Sequence, residues 1–218
     1  MSLAIFDLDH TLINGDSTKS WNDFVADEGL VDKEAHLRAN IAFNEAYHNG
    51  TLDIVAYEEF TMTVLPCLEM EVLTALRDRY LRQVIAPMLL DTTEQLLHEH
   101  RQNGDFLLLV TATNRFIAEP IAELLRMNAM LGTVPAMKGG RYTGKVEGIA
   151  CFGRDKITHL RAWLESQGGL TLEGAWFYSD SHNDLPLLEL VDRPVAVNPD
   201  PVLHRLAGER GWPIIALR

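Results

Sequence analysis

The chain has 218 residues and an acidic composition, with 31 Asp and Glu residues against 19 Lys and Arg residues and a formal net charge of -12. Hydrophobic residues make up 47% of the sequence and charged residues 23%, which is typical of a globular protein with one domain and a smaller second one. Nucleic acids and anionic membranes are bound through clustered Lys and Arg, so the excess of acids argues against both as partners. No apolar stretch of the sequence approaches the roughly 18 residues that span a bilayer, and we expect a cytoplasmic protein.

An apolar run from Leu3 to Phe6 begins the chain and predicts a short strand that is buried on both faces. Asp7 and Asp9 follow where this run ends, at the carboxyl end of the predicted strand. Two buried and ionised carboxylates on alternate residues would repel each other, so we expect either a divalent cation or a bound proton here. Taken alone, an Asp-x-Asp sequence is more often a turn or a cap, and its meaning depends on other parts of the chain.

Residues 17–86 have the spacing of apolar residues that is typical of helices, and they contain no alternating β-branched run. Turn-forming residues at 27–29, at 49–50 and at Pro66 divide this segment into about four short helices. We therefore predict an all-helical insertion between the first strand and the rest of the chain.

After the insertion, apolar runs alternate with helical segments. Helices are expected from Asp91 to about residue 102, over residues 116–127 and from residue 153 onward. The predicted strands are 106–110, 130–134, 175–178, 194–197 and 213–216, with a glycine-containing hairpin over 138–145. Alternation of strand and helix predicts an α/β fold with a doubly wound, mostly parallel, Rossmann-like sheet that carries the all-helical insertion.

Polar residues follow the predicted strands in a fixed order. An Asp-x-Asp-x-Thr sequence ends the first strand, a Thr ends the second, a Lys begins a later helix, and Asp-x-x-x-Asp follows another strand. These residues are Asp7, Asp9, Thr111, Lys156, Asp180 and Asp184. Their order resembles the haloacid dehalogenase superfamily of phosphohydrolases, and above all its phosphoserine phosphatase-like branch. The resemblance implies a catalytic core made of residues 1–16 and 87–218 and a helical cap made of residues 17–86.

The two aspartates of the first motif can support the chemistry of phosphate esters. A carboxylate is ionised at neutral pH and can attack phosphorus, which gives an aspartyl-phosphate. We assign this nucleophilic role to Asp7. The leaving alkoxide needs a proton, so a second acid must have a raised pKa. Asp9 is placed two residues further on for this task, and it could then take a proton from the attacking water.

The resemblance also implies a Mg²⁺ ion as cofactor. Its ligands in this sequence would be the carboxylates of Asp7 and Asp180 and the main-chain carbonyl of Asp9. Asp184, four residues after Asp180, would hold water molecules that are bound to the metal. A set of oxygen ligands without His or Cys suits Mg²⁺ rather than Zn²⁺.

Contacts to the phosphate are implied by the same resemblance. Thr111 would donate its hydroxyl to a phosphoryl oxygen, and Lys156 would neutralise charge between the phosphate and the nucleophile. The predicted phosphate-binding residues are Asp9, Thr111, Ala112, Lys156 and Asn183. Plainer explanations exist for two of them, because a Thr at a strand end can be a cap and an Asn after a strand is a common turn residue.

Two features of the motifs leave alternatives open. Lys138 and Lys145 compete with Lys156 for the role of the catalytic lysine, although both lie in the predicted hairpin. Ser179 and Ser181 stand where the family usually has glycines, which puts the backbone freedom of that loop in question.

The acids near the first motif and in the insertion bear on the substrate. Phosphoserine phosphatases hold the substrate ammonium with an acidic residue shortly after the first motif, and Asp16 occupies the matching position. The family also binds the substrate carboxylate with a cap arginine, whereas residues 57–62 contain Glu58 and Glu59 and no arginine. Phosphoserine is therefore disfavoured, because its carboxylate would be buried without a partner. An amine-bearing ester such as L-histidinol phosphate fits better, followed by phosphoethanolamine and phosphocholine, unless Glu58 and Glu59 merely face solvent.

A different class of protein offers an alternative. Receiver-like regulatory modules also use strand-end aspartates, Mg²⁺, a Thr and a Lys to carry a phosphate. Asp9, as the acid for a leaving group, and the large helical insertion both favour an enzyme that hydrolyses a small phosphorylated metabolite. Phosphotransfer to an acceptor other than water stays open, and the sequence makes no prediction of the oligomeric state.

Overall fold

Strands and helices alternate in the computed structural model, which describes residues 2–218 apart from the side chain of His48. The strands are β1 (Leu3–Phe6), β2 (Phe106–Asn114), β3 (Ala129–Lys138), β4 (Arg141–Glu147), β5 (Trp176–Ser179), β6 (Arg193–Val197) and β7 (Ile214–Ile215). The helices are α1 (Ser17–Asp27), α2 (Lys33–His48), α3 (Ile54–Thr61), α4 (Met70–Tyr80), α5 (Asp91–Gln102), α6 (Arg115–Leu124), α7 (Asp155–Gln167), α8 (Leu185–Leu188) and α9 (Pro201–Arg210). None of the helices described within residues 2–218 is long and apolar enough to cross a membrane.

The strands described here form one seven-stranded sheet in the order β4-β3-β2-β1-β5-β6-β7. Neighbouring strands run parallel except β3 and β4, which form the predicted hairpin. From β1 the sheet grows through β2 and β3 on one side and through β5, β6 and β7 on the other. The strand order therefore reverses at β1, and the carboxyl ends of β1, β2 and β5 border the crevice where such sheets bind ligands. The predicted doubly wound, mostly parallel α/β fold is confirmed.

Strand β1 lies at the centre of the sheet and is buried on both faces, as its apolar sequence predicts. Alternate residues of a strand point to opposite faces, so Ala4 and Phe6 join one core cluster and Leu3 and Ile5 join the other. The first cluster includes residues of α1, α4, α5 and α6, and the second includes residues of α7, α8 and α9. The main-chain N–H of Asp7 donates to the Tyr178 carbonyl at 2.9 Å, which continues the pairing with β5 as far as the first motif.

The segment between β1 and β2 contains α1 to α4, and none of the seven strands described above lies within residues 17–86. Helices α1 and α4 bury Trp21 and Tyr80 in the same cluster as β1. Helix α2 instead leaves Leu37 and Ile41 exposed, on the side that overlooks the carboxyl end of the sheet. The division of the chain into a core and a cap of residues 17–86 stays a prediction, since α1 and α4 share the core of the sheet.

Strand β2 runs past its predicted end at Val110 and continues to Asn114. Its register against β3 shifts between these two residues. Gly132 of β3 lies so close to this stretch that a Cβ atom there would be 2.8 Å from the carbonyl oxygen of Thr113. The extension places Thr111 and Thr113 within the strand, with both side chains buried at the carboxyl end of the sheet.

Candidate active site

Lys156 joins the first and last motifs through two ion pairs. Its Nζ lies 2.7 Å from Asp7 Oδ1 and 2.8 Å from Asp184 Oδ2, and its side chain is 4% exposed. Asp184 Oδ2 also accepts a hydrogen bond from Ser179 Oγ at 2.7 Å. The lysine is the second residue of α7, and the start of that helix therefore delivers an ammonium group to the end of β1.

Thr11 connects the ends of β1 and β5. Its Oγ1 accepts a hydrogen bond from the Asp180 N–H at 3.0 Å. The same hydroxyl lies 3.5 Å from Asp7 Oδ2 and 3.3 Å from Asp180 Oδ1, and it can donate to either carboxylate. No role was predicted for Thr11, although its place in Asp-x-Asp-x-Thr is the signal that could have indicated one. The hydroxyl keeps the two carboxylates next to each other.

The side chain of Asp9 is held between the start of α1 and the end of β2. Its Oδ1 accepts a hydrogen bond from the Ser17 N–H at 2.6 Å, and its Oδ2 accepts one from Thr113 Oγ1 at 2.7 Å. Thr113 Oγ1 in turn lies 3.2 Å from the hydroxyls of Ser17 and Thr18. Asp16 caps α1 by accepting the Lys19 N–H at 2.7 Å. Thr113 was not predicted, because nothing in the sequence indicated that β2 would reach this far.

Burial and mutual repulsion raise the pKa values of the carboxyl groups. Burial raises the pKa of Asp7 to about 7 and that of Asp180 to about 8, and neighbouring aspartates add to both increases while Lys156 opposes them. For Asp9, burial and the charge of Asp16 raise the pKa to about 6, against the hydrogen bonds that its carboxyl group accepts. Several acids share one lysine, and a hard cation would relieve the remaining repulsion.

The donor atoms fit the predicted Mg²⁺ site. In the described part of the chain, residues 2–218, no three His, Cys, Asp or Glu side chains are arranged to hold a metal ion by themselves. The predicted site needs only the carboxylates of Asp7 and Asp180 with a main-chain carbonyl and water, all of them oxygen donors of the kind that Mg²⁺ prefers. Both carboxylates lie against the Thr11 hydroxyl, whereas Asp184 Oδ2 is held by both Lys156 Nζ and Ser179 Oγ. Asp184 is therefore suited to an outer position rather than to direct ligation.

A cavity of about 620 Å³ lies between helices α2 and α3 and the carboxyl end of the sheet. The side formed by the helical insertion includes the rings of Phe43 and Tyr57, whose centroids are 5.3 Å apart. The predicted site residues that line it are Asp7, Asp9, Asp16, Glu58, Thr111, Ala112, Lys156, Asp180, Asn183 and Asp184. Side chains that are far apart in the sequence therefore face a single space.

Glu59 is the predicted site residue that does not line this cavity. Its Oε2 accepts a hydrogen bond from Lys145 Nζ at 2.6 Å, and Lys145 lies in β4. The prediction that Glu59 binds substrate is wrong for a geometric reason, because adjacent residues on a helix point about 100° apart. Because Lys145 is paired with Glu59 and does not line the cavity, it is not placed to act as the catalytic lysine in the way that Lys156 is.

Glu58 lies on the cavity side of α3 and is 1% exposed. Burial, reinforced by the negative charge of Asp9, raises the pKa of Glu58 well above its ordinary value, although a hydrogen bond from the Asn114 side chain opposes the increase. Among the described residues, Glu58 Oε2 has no hydrogen-bond partner. The plainer interpretation, in which this residue faces solvent, is wrong.

The two serines that stand in place of the family's glycines both make hydrogen bonds. Ser179 Oγ donates to Asp184, as described above. Ser181 Oγ accepts the Asn183 N–H at 3.2 Å and lies 3.0 Å from the hydroxyl of Tyr47 in α2. The serines thus hold the loop after β5 in place with their side chains and connect it to the helical insertion.

Known proteins that are similar to this chain show the family to which it belongs. The sequence model of the protein family of haloacid dehalogenase-like hydrolases matches residues 4–189. The chain belongs to this family. A histidinol-phosphatase of Neisseria meningitidis serogroup C is 40% identical to this haloacid dehalogenase-like hydrolase over 218 residues, which cover 98% of each chain. A phosphoserine phosphatase of Mycobacterium tuberculosis is 33% identical over 214 residues, which cover 97% of this chain and 69% of that protein.

Solved structures agree with the fold. A Bordetella pertussis protein of unknown function has a TM-score of 0.94 at 39% identity, covering 100% of this chain and 99% of its own. A phospho-aspartyl intermediate analogue of phosphoserine phosphatase has a TM-score of 0.68 at 20% identity, covering 100% of this chain and 93% of its own. At that identity the likeness concerns the fold alone. The family and the phosphatases among the relatives confirm the prediction of a phosphatase, and the receiver-like alternative is set aside.

Proposed function

We propose that this phosphatase is a Mg²⁺-dependent phosphomonoesterase that works through an aspartyl-phosphate on Asp7. The observation that carries the proposal is the contact between Asp7 Oδ1 and the buried Lys156 Nζ, 2.7 Å apart in the wall of the cavity. A phosphate anion and a carboxylate repel each other as they approach. An ammonium group at this distance can neutralise the charge that builds up between them.

The proposed reaction has two displacement steps. In the first, the Asp7 carboxylate attacks phosphorus, the P–O bond to the leaving group breaks, and Asp9 gives its proton to the leaving alkoxide. In the second, Asp9 takes a proton from a water molecule that attacks phosphorus, and the bond from phosphorus to Asp7 breaks to release phosphate. Burial raises the pKa of Asp9 to about 6, nearer to neutral pH than that of an ordinary aspartate, while the positive charges of Lys156 and of bound Mg²⁺ would keep Asp7 ionised for its attack.

Donors for the phosphoryl oxygens come from the ends of β2 and β5. The Thr111 hydroxyl oxygen already accepts the Thr113 N–H at 3.1 Å, so its hydrogen is the part that can point to a phosphoryl oxygen. The N–H of Ala112 and the side chain of Asn183 belong to residues of the same cavity wall. We assign these groups to phosphate binding together with Lys156.

Mg²⁺ would be held by the carboxylates of Asp7 and Asp180 and the carbonyl of Asp9, and it would supply positive charge against the transferring phosphoryl oxygens. Asp184 would orient water in this arrangement. Thr11 positions the two carboxylate ligands through its hydroxyl. The pKa increases of Asp7 and Asp180 support such a cation, because burial and repulsion are their causes.

The favoured substrate is an amine-bearing phosphate ester without a carboxylate, with L-histidinol phosphate as the best candidate. Asp16 lines the cavity and is assigned to the substrate ammonium. The described lining residues include no arginine, and their two lysines are already paired, Lys156 as above and Lys19 with Asp23 at 2.6 Å. The carboxylate of phosphoserine would therefore be desolvated without a free cation. The relative named histidinol-phosphatase supports the same choice.

Steady-state kinetics test this assignment. The kcat/KM for L-histidinol phosphate should exceed that for phosphoserine by about tenfold or more, with phosphoethanolamine and phosphocholine in the same panel. The Asp16→Asn variant should lose much of the preference, because the ammonium loses its anionic partner. A preference for phosphoserine, or an Asp16→Asn variant with unchanged discrimination, would contradict the substrate while leaving the phosphatase chemistry intact.

A further inference from the structure

Glu58 is a buried acid that the proposed chemistry does not use. It is 1% exposed and lines the cavity. The oxygen Oε2 nevertheless has no partner in the described part of the chain. A buried polar atom without a partner costs about 1–3 kcal/mol. Native proteins rarely keep such an atom, so a ligand in the cavity that binds the Glu58 carboxyl group is a direct explanation.

The surroundings of Glu58 show which kind of ligand group can supply that partner. Asp9 and Asp16 lie near enough for their negative charges to raise the pKa of Glu58, so this end of the cavity favours positive charge or an N–H donor. Phe43 and Tyr57 line the same cavity, and their rings meet edge to face. Aromatic faces attract cationic and flat groups.

The free protein can tolerate the burial of the Glu58 carboxyl group because this group can be neutral. Burial raises the pKa of this group well above its ordinary value, so no isolated charge has to be buried before a ligand arrives. A neutral carboxyl group still has a carbonyl oxygen that can accept a hydrogen bond. An N–H group of the ligand can donate to this oxygen whether or not the ligand is charged.

We propose that Glu58 forms a second subsite, at which its carboxyl group accepts a hydrogen bond from an N–H group on a flat, nitrogen-containing ring at the end of the substrate remote from the phosphate. The proposal rests on the proposed function, since it takes the phosphate to lie at Asp7 and the substrate amine at Asp16. It adds a ring to the required substrate, so the preferred class is a phosphate ester with an amine and a heteroaromatic ring. A cavity of about 620 Å³ has room for such a molecule.

Kinetics with two substrates separate this subsite from the rest of the site. L-histidinol phosphate carries phosphate, amine and ring, whereas phosphoethanolamine carries only phosphate and amine. The Glu58→Met variant removes the acceptor and keeps the length of the side chain. Its kcat/KM for L-histidinol phosphate should fall about 10- to 100-fold, because the N–H group of the ring is then buried without a partner. Its kcat/KM for phosphoethanolamine should change less than about threefold.

Two further variants provide the controls. Glu58→Gln keeps an acceptor oxygen and should recover part of the activity on L-histidinol phosphate. Glu59→Gln alters the neighbouring residue, which is paired with Lys145 outside the cavity, and should leave both substrates unaffected. Equal losses for the two substrates in Glu58→Met would overturn the proposal, since they would indicate an effect on the fold or the chemistry. A Glu58→Met variant with an unchanged preference for L-histidinol phosphate over phosphoethanolamine would also overturn the proposal.

Calorimetry with L-histidinol, which lacks the phosphate, gives a readout independent of turnover. Its affinity should fall at least about tenfold in Glu58→Met, while binding of inorganic phosphate stays the same. Affinity for L-histidinol that does not depend on Glu58 would overturn the subsite even if the enzyme hydrolyses L-histidinol phosphate. If L-histidinol phosphate is not hydrolysed and binding of L-histidinol still depends on Glu58, the proposed substrate fails and the subsite stands. If L-histidinol phosphate is not hydrolysed and binding of L-histidinol does not depend on Glu58, both the proposed substrate and the subsite are wrong.

Discussion

Replacing Lys156 with Met tests how the fold tolerates the acids around Asp7. The ammonium group is buried and contacts both Asp7 Oδ1 and Asp184 Oδ2. Methionine is flexible and of similar length, so it can occupy the same space while removing the positive charge. The variant then keeps a set of buried carboxylates without a cation, at a position where burial already raises the pKa of Asp7 to about 7.

The expected loss of stability is large for a single substitution. Removing one partner of a buried ion pair costs about 3–5 kcal/mol. For a chain of this length each kcal/mol lowers the melting temperature by about 2–4 °C, which gives a decrease of roughly 6–20 °C. Calorimetric unfolding near neutral pH in EDTA measures this difference directly. The double variant Lys156→Met/Asp184→Asn should recover part of it, because one of the repelling charges is gone.

Lys145→Met is the matched control. Lys145 also forms an ion pair, with Glu59 at 2.6 Å, but its side chain is 65% exposed. Exposed pairs contribute about 0–1 kcal/mol, so the melting temperature should change by less than about 4 °C. If Lys156→Met unfolded within the same narrow range as Lys145→Met, the argument that the buried lysine holds the carboxylates together would be refuted.

Three further predictions concern the reaction. Asp7→Asn should reduce turnover by several orders of magnitude with an unchanged circular dichroism spectrum, and EDTA should abolish wild-type activity until Mg²⁺ is added; a folded Asp7→Asn protein with near-normal turnover would contradict the nucleophile. Asp9→Asn should impair hydrolysis of alkyl phosphates more than that of p-nitrophenyl phosphate, whose leaving group needs little protonation, and equal losses would mean that Asp9 has another role. Thr11→Val should raise the Mg²⁺ concentration for half-maximal activity about 10- to 100-fold, because the carboxylates of Asp7 and Asp180 lose the hydroxyl that they share; an unchanged requirement would argue against this positioning role.

Much of the fold and the main candidate residues could be predicted from the sequence because their signals are local. The run Leu3–Phe6 stops at Asp7, and an apolar run that ends in a carboxylate predicts both a buried strand and a polar group at its carboxyl end. The same holds for β5 and Asp180. Once the strands are parallel, their carboxyl ends must share one edge of the sheet, so the convergence of these aspartates with Thr111 follows from topology alone.

Only the tertiary structure decided which of two adjacent acids in α3 belongs to the cavity. Glu58 and Glu59 are alike in sequence, and the rotation of the helix against the sheet and β4 makes one a buried cavity acid and the other the partner of Lys145. The roles of Thr11 and Thr113 were likewise outside the reach of local patterns. Thr113 lies 104 residues from the Asp9 carboxylate that it binds. Such contacts depend on the packing of distant strands and helices, and the periodicity of a single segment carries no information about where another segment will lie.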